Sequence, residues 1–355
     1  MIPLIHDSVA IPEFFISPAA AGQPPERMVD AEPAVAYHQG SCALLPGGEG
    51  APAGRQASGE RGQDDGALFF FACEGVVMGS PYWIKTVIKK TFFARFFLSR
   101  LTRFRPVARL VEQMLFKDDD VIYLPKDRVM PADPVIRIDQ PLDTPASMAV
   151  PSQVVDHFIR QASARWIMNF CICRESSQCQ NYPVEYGCLF LGEAARDINP
   201  KFGRLVSEED ALAHARRCRQ AGLVHLIGHN RLDSVWLNVG PPDRLLTICH
   251  CCPCCCLWRV LPDLTPEISD KIARMPGIHL EVTEDCQGCG LCVQGGCFVG
   301  AIRLEAESAV IDQVQCRGCG RCAETCPQGA IRVVIDDEAC IANAIARVSR
   351  AVNVN

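Results

Sequence analysis

The chain has 355 residues, 48% of them hydrophobic, and 41 acidic against 35 basic side chains give a formal net charge of −6. That balance excludes the strongly basic surface of a nucleic-acid binder and the low hydrophobicity of a wholly disordered chain, while the length allows two or three domains. The 22 cysteines are the outlier. The N-terminus MIPLIHDSVAIPEFF lacks a basic n-region and an A-x-A cleavage site, so they are read as reduced metal ligands in a cytoplasm rather than secretory disulfides.

Residues 1–66 come first, and from 17 onward they are rich in Ala, Gly, Pro, Gln and Glu, as in GGEGAPAGRQASGERGQDDG. Such a segment has too little apolar surface to offset the entropy of ordering. Disorder is expected there, and Cys42 is not counted among the ligands. Residues 67–150 open on ALFFFACEGVVMGSPYWI, an apolar run that Glu74, Gly75, Gly79 and Pro81 break too often for a membrane span. Between Lys85 and Arg109 lie eight basic residues and no acidic one, with Ile84, Ile88, Phe92 and Phe96 at four-residue spacing. The pattern predicts a basic amphipathic helix ending before Pro106 and a second helix over Val107–Phe116. Residues 84–109 would suit an anionic membrane or an acidic partner; alternatively, the rings pack onto the protein and only the charges meet water. Val121–Leu124 and Val135–Ile138 read as short strands.

Residues 151–277 form a Cys-rich α/β module. Ser152 is expected to cap a helix carrying Val154, Val155, Phe158, Ile159 and Ile167, which leads into NFCICRESSQCQNYPVEYGC. That stretch spaces Cys171, Cys173, Cys179 and Cys188 as C-x-C-x5-C-x8-C. Ser207–Asp210 opens a helix that runs to Gln220 and closes at Gly222, acidic at its start and Arg-rich at its end, as the helix dipole favours. Leu223–Gly228 and Val235–Val239 read as strands. Then LLTICHCCPCCCLW places Cys249, Cys251, Cys252, Cys254, Cys255 and Cys256 within eight positions. Neighbouring side chains of an extended backbone point to opposite sides, so these six cannot all reach one small centre. The preferred reading is a third iron–sulfur centre drawing ligands from both Cys segments. Zinc, a redox-active pair such as Cys251/Cys254 and inert packing stay open, as does the choice of ligands among the ten. Of the nearby His225, His229 and His250, only His250 is weighed for metal or proton-transfer duty, because it lies between two cysteines.

The most specific pattern lies in residues 278–337, ahead of a tail at 338–355. DCQGCGLCVQGGC places Cys286, Cys289, Cys292 and Cys297 at spacings x2, x2, x4, and CRGCGRCAETCPQ places Cys316, Cys319, Cys322 and Cys326 at x2, x2, x3. Three thiolates in C-x2-C-x2-C fit neither a helix face nor a strand face; they suit a loop wrapped around one cluster. Cys286 and Cys316 are offset by thirty residues, and Gly300-Ala301-Ile302 recurs as Gly329-Ala330-Ile331, so the segment is an internal duplication.

These runs resemble those of bacterial-type two-cluster ferredoxins, in which the fourth cysteine of each run ligates the other cluster. The resemblance implies a duplicated ferredoxin-like fold. In it, Cys286, Cys289, Cys292 and Cys326 hold one [4Fe–4S] centre, and Cys316, Cys319, Cys322 and Cys297 hold the second. The first run departs from the family by x4 in place of x3 and by Phe298 where Pro is usual. A pair of four-cysteine zinc sites is the alternative. More widely, residues 152–336 resemble proteins named as ferredoxins in anaerobic bacteria and archaea. The shared motifs are Asn169–Arg174 (NFCICR), Cys249–Cys256 (CNCCPCCC-like, with His250 where Asn is commoner) and Cys286–Pro327. That likeness implies iron–sulfur binding and electron transfer in an anaerobic metabolism.

The expected fold is therefore α+β: a C-terminal two-cluster ferredoxin-like domain, a Cys-rich α/β module before it, and a disordered and amphipathic-helical N-terminal region. The expected function is electron relay to redox partner proteins from the cytoplasm, or from the inner face of a membrane, by a carrier or subunit rather than a stand-alone enzyme. The alternative is an oxidoreductase with its active site in the middle module. No dinucleotide fingerprint, P-loop or CxxxCxxC motif supports that alternative.

Overall fold

The computed structural model describes residues 79–130 and 150–355, all within one unit. The expectations for residues 1–66, for the apolar run as far as Met78 and for a strand at Val135–Ile138 lie outside the described residues.

At the centre is a seven-stranded mixed sheet in the order β4-β2-β3-β6-β5-β1-β7. Its strands are β1 (Asp120–Tyr123), β2 (Arg165–Met168), β3 (Leu189–Leu191), β4 (Gly203–Leu205), β5 (Val224–His229), β6 (Leu246–Cys251) and β7 (Ile272–Arg274). Every pairing is antiparallel except β1 with β7. The inner strand β5 is buried along its whole length, as expected of a strand covered on both faces. Register sorts the side chains by face. His225 lies opposite His250, while Tyr123 lies opposite Leu226 and Leu226 opposite Cys249. Directly opposed residues share a side, so Tyr123, Cys249 and Cys251 point one way and His225 and His250 the other.

The basic segment forms α1 (Trp83–Thr91), a 3₁₀ turn at Phe92–Ala94, α2 (Arg95–Leu101) and α3 (Arg105–Val111), which runs into a π turn at Glu112–Phe116. The single helix expected up to Pro106 is thus broken in two. Pro106 opens α3 instead, where its missing N–H costs nothing. Next, α4 (Ser152–Gln161) buries Val154, Val155, Phe158 and Ile159. Ser152 is not its cap: it is already helical, and its backbone N–H donates to Asp127 Oδ1 at 3.0 Å. Ile167 belongs not to this helix but to β2, beyond the extended Ala162 that ends it.

α5 (Ile172–Ser176) follows, then α6 (Glu208–Gln220), which begins and ends where the sequence indicated: Ser207 Oγ accepts from Asp210 N, and Gly222 takes φ +82°. The strand expected at Val235–Val239 is instead the end of α7 (Arg231–Leu237). Asp233, Ser234 and Leu237 form its buried face, and Asp233 accepts from Asn230 Nδ2 and Trp236 Nε1, bonds that hold a helical turn. A short α8 (Pro266–Ser269) precedes β7.

The C-terminal region pairs β8 (Ile278–Val282) with β11 (Ile331–Ile335), and β9 (Ile302–Glu305) with β10 (Ser308–Ile311), both antiparallel. Each cysteine run leads into a one-turn helix, α9 (Leu291–Gln294) or α10 (Arg321–Glu324). Gly290 and Gly320 sit before them at φ +75° and +73°, a conformation that costs most residues about 1–2 kcal/mol. The segment read as a tail carries α11 (Cys340–Ala351), whose buried Cys340, Ala344 and Val348 pack toward α4, β1 and β5.

Candidate metal centres

The C-terminal loops bring the eight predicted cysteines into two groups. Cys286, Cys289, Cys292 and Cys326 line one small cavity together with Leu304 and Ile331. Cys297, Cys316, Cys319 and Cys322 lie within electrostatic reach of one another. Backbone N–H groups donate to sulfur in both: Ala309 to Cys286, Ala301 to Cys297 and Gly318 to Cys316, each at 3.4 Å. The Ala309 and Gly288 amides hold the Cys286 thiol below its usual range. Burial works the other way in the second group and pushes Cys319 up to about 12. A thiol in that setting keeps its proton unless a metal cation takes its place, so the donor set fits a bound cluster.

Ten of the eleven cysteines of the middle module, all but Cys218 on α6, separate into two groups. Cys179, which follows α5, meets Cys252, Cys254 and Cys255 of the turn after β6. Cys179 and Cys254 sulfurs are 3.6 Å apart, Cys252 and Cys254 3.5 Å, and Cys254 and Cys255 3.4 Å. All four lie within 4.8 Å of one another. A tetrahedral ion with metal–sulfur bonds of about 2.3 Å needs sulfurs about 3.8 Å apart, so this tetrad fits one ion. The eight C-terminal cysteines form no group that tight among the described residues.

The other six, Cys171, Cys173, Cys188, Cys249, Cys251 and Cys256, line a cavity of about 480 Å³ that Cys252 of the tetrad also borders. Its opposite wall is α1–α3, through Ile88, Phe92, Arg95 and Leu98. Alternation along β6 puts Cys249 and Cys251 on one face and His250 on the other; the turn at Pro253 then carries Cys254 and Cys255 away and brings Cys256 back to Cys251. A bond from Cys173 and the nearby Arg174 guanidinium hold the Cys171 thiol at about 7 against burial. Asp233, also at this cavity, is pushed up to about 7 by burial and by Cys249.

Several participants were not singled out from sequence. Arg174 is wholly buried; its Nη1 donates to the His250 carbonyl at 2.7 Å and its Nη2 to the Tyr186 carbonyl. Its place directly after Cys173 in a Cys-rich motif was the available signal. His214 and Cys218, four residues apart on one face of α6, converge with His250 within 4.8 Å. That trio is already engaged with protein: His214 Nε2 donates to the Gly187 carbonyl at 2.9 Å, and His250 Nδ1 meets His225 Nδ1 at 2.8 Å. Burial keeps His225 neutral, with its pKa lowered to about 3. His229 faces Asp119 instead, at 3.6 Å, away from the cysteines.

A family model described as Fer4, a 4Fe-4S binding domain, matches residues 309–332, which include Cys316, Cys319, Cys322 and Cys326. A segment of 56 residues is 39% identical to the indolepyruvate oxidoreductase subunit IorA of Pyrococcus horikoshii. It covers 16% of this chain and 9% of that protein, so the chain spans only a small part of its curated relative. No solved structure matches. The C-terminal region is thus an iron–sulfur domain of the ferredoxin kind, with room for at least one [4Fe–4S] cluster. Among the described residues no helix is long and apolar enough to cross a membrane.

Proposed function

We propose that the chain is an electron-transfer protein with two [4Fe–4S] clusters at its C-terminal end and a third metal centre in its middle module. Cys286, Cys289, Cys292 and Cys326 hold the first cluster, and Cys297, Cys316, Cys319 and Cys322 the second. The observation that carries this reading is the interleaving: Cys326 joins the cavity of the first run, and Cys297 lies among the thiols of the second. Clusters with four cysteine ligands exchange electrons and leave no open position for substrate. The third centre is the tetrad of Cys179, Cys252, Cys254 and Cys255, whose spacing favours a single ion such as zinc. It lies against the first run, where Pro253 packs on Gly296.

The likeness to a named oxidoreductase subunit supports service as an electron-carrying component beside redox partner proteins. Replacing Cys289 or Cys319 with Ala should each remove about four irons and the matching signal in the reduced-state electron paramagnetic resonance spectrum. If both variants kept full iron and an unchanged spectrum, the assignment would be wrong.

The basic helices add a second reading, contact with an anionic lipid surface from the cytoplasmic side. Trp83, Phe93, Phe97 and Phe104 are 61%, 80%, 65% and 66% exposed. Their rings therefore do not pack onto the protein, and exposed Lys90, Arg105 and Arg109 lie beside them.

A further inference from the structure

The six cysteines outside the tetrad close a ring. Cys251 and Cys256 sulfurs are 3.1 Å apart, and Cys188 and Cys249 sulfurs 3.9 Å. Cys171 lies close to Cys173, and Cys249 to Cys251, the two cysteines that share a face of β6. Cys173 lies within charge range of Cys256, and Cys188 within charge range of Cys171, which completes the circuit. All six face one cavity of about 480 Å³. We infer that this ring is a second metal site of the middle module: a polynuclear iron–sulfide centre, separate from the single-ion tetrad.

Size is the first argument. No three of the six sulfurs lie within 4.8 Å of one another, whereas the tetrad's four do. The six are thus strung out in close pairs around the cavity and do not converge on one point, an arrangement that suits several metal atoms better than one ion. Charge is the second. Arg174 is 0% exposed and its two bonded nitrogens meet neutral carbonyls; among the described residues its Nε has no partner and it forms no ion pair with a carboxylate. A buried guanidinium without a counter-ion costs several kcal/mol. The anions in reach are sulfurs: Cys171 first, then Cys252 of the tetrad, then Cys251 and Cys188 of the ring. Metal binding converts the lining thiols to thiolates, and six thiolates with one arginine require several metal charges.

Position is the third argument. Tyr123, wholly buried on β1, lies close to Cys251 and Cys256 on one side and to Cys319 on the other. Its ring centroid is 5.6 Å from that of Phe298. One layer of aromatic side chains therefore separates the ring from the second C-terminal group. The site also has an apolar side under α1–α3.

The inference goes beyond the ferredoxin reading, and its iron count rests on the two clusters that reading supplies. Its test is the iron, acid-labile sulfide and zinc content of the full chain purified without oxygen. Wild-type protein should hold clearly more than the about eight irons, and matching sulfide, that two [4Fe–4S] clusters supply. Cys188→Ala/Cys251→Ala should lose that excess and keep the ion of the tetrad. Cys179→Ala/Cys255→Ala should lose the ion and keep the excess. The excess should also survive in Cys289→Ala and Cys319→Ala, so failure of the ferredoxin assignment and failure of the ring read out separately. Wild-type protein with no iron and sulfide beyond about eight overturns the inference whether or not any variant folds. So does excess zinc without sulfide, or a folded ring variant that keeps the wild-type iron.

Discussion

Single positions decide how closely backbone can wrap a cluster. Gly288 takes φ +62°, and a Cβ there would stand 2.5 Å from the Glu307 carbonyl oxygen, whereas Gly300, at φ +64°, faces open space. Gly300→Ala should therefore carry only the left-handed backbone cost of about 1–2 kcal/mol. Gly288→Ala adds a clash with backbone that cannot yield. It should bleach the visible iron–sulfur absorption at a distinctly lower temperature than Gly300→Ala, and equal midpoints would refute the close approach. At this scale the C-terminal motif was legible, because its ligands and glycines are neighbours in sequence. The partition of the other ten cysteines was not. It depends on Pro253 turning the chain after β6, and on Cys179 and Cys188 arriving from another segment on opposite sides of Tyr186. The buried charge of Arg174 was equally hidden, since arginine is mostly a surface residue.

Elements were legible where their ends carry their own chemistry. α6 announced itself through Ser207 and Gly222, and Ser207→Ala should cost about 1 kcal/mol in a chemical denaturation midpoint. α7 did not, because Val235, Trp236 and Leu237 look like a strand until Asp233 is seen accepting from both sides of the turn. The basic helices were recognised by charge, yet their break at Phe92–Ala94 came from packing: Phe92 turns inward to the cavity while Phe93 turns out. If these outward rings meet lipid, the protein should sediment with phosphatidylserine vesicles and not with phosphatidylcholine ones. Binding should weaken with salt, and Phe93→Ser/Phe97→Ser should weaken it several-fold while leaving iron content unchanged. Equal recovery with both vesicle types would exclude the anionic-surface reading.

Across the whole molecule, the last helix ties the iron–sulfur region to the sheet. Arg347 grips both carboxylate oxygens of Asp120 on β1, its Nε at 2.9 and 3.1 Å, and the Val354 carbonyl accepts from Ser163 N at 2.8 Å. Removing residues 340–355 should thus destabilise the middle module and not merely trim a tail. The expected result is a lower melting temperature together with loss of metal from the cysteines between 171 and 256. A truncated chain that kept both would show α11 to be dispensable. This long-range closure could not be seen in sequence, where 338–355 shows only a modest apolar periodicity with no partner named.

The same closure bears on how the protein is made in the cell. Synthesis delivers Cys171–Cys188 before Cys249–Cys256, and α11, which packs toward α4, β1 and β5, only after both. Until that helix docks, the sheet carrying these thiols lacks one of its covers, and air admitted in that interval would meet sulfurs free to pair with the wrong partners.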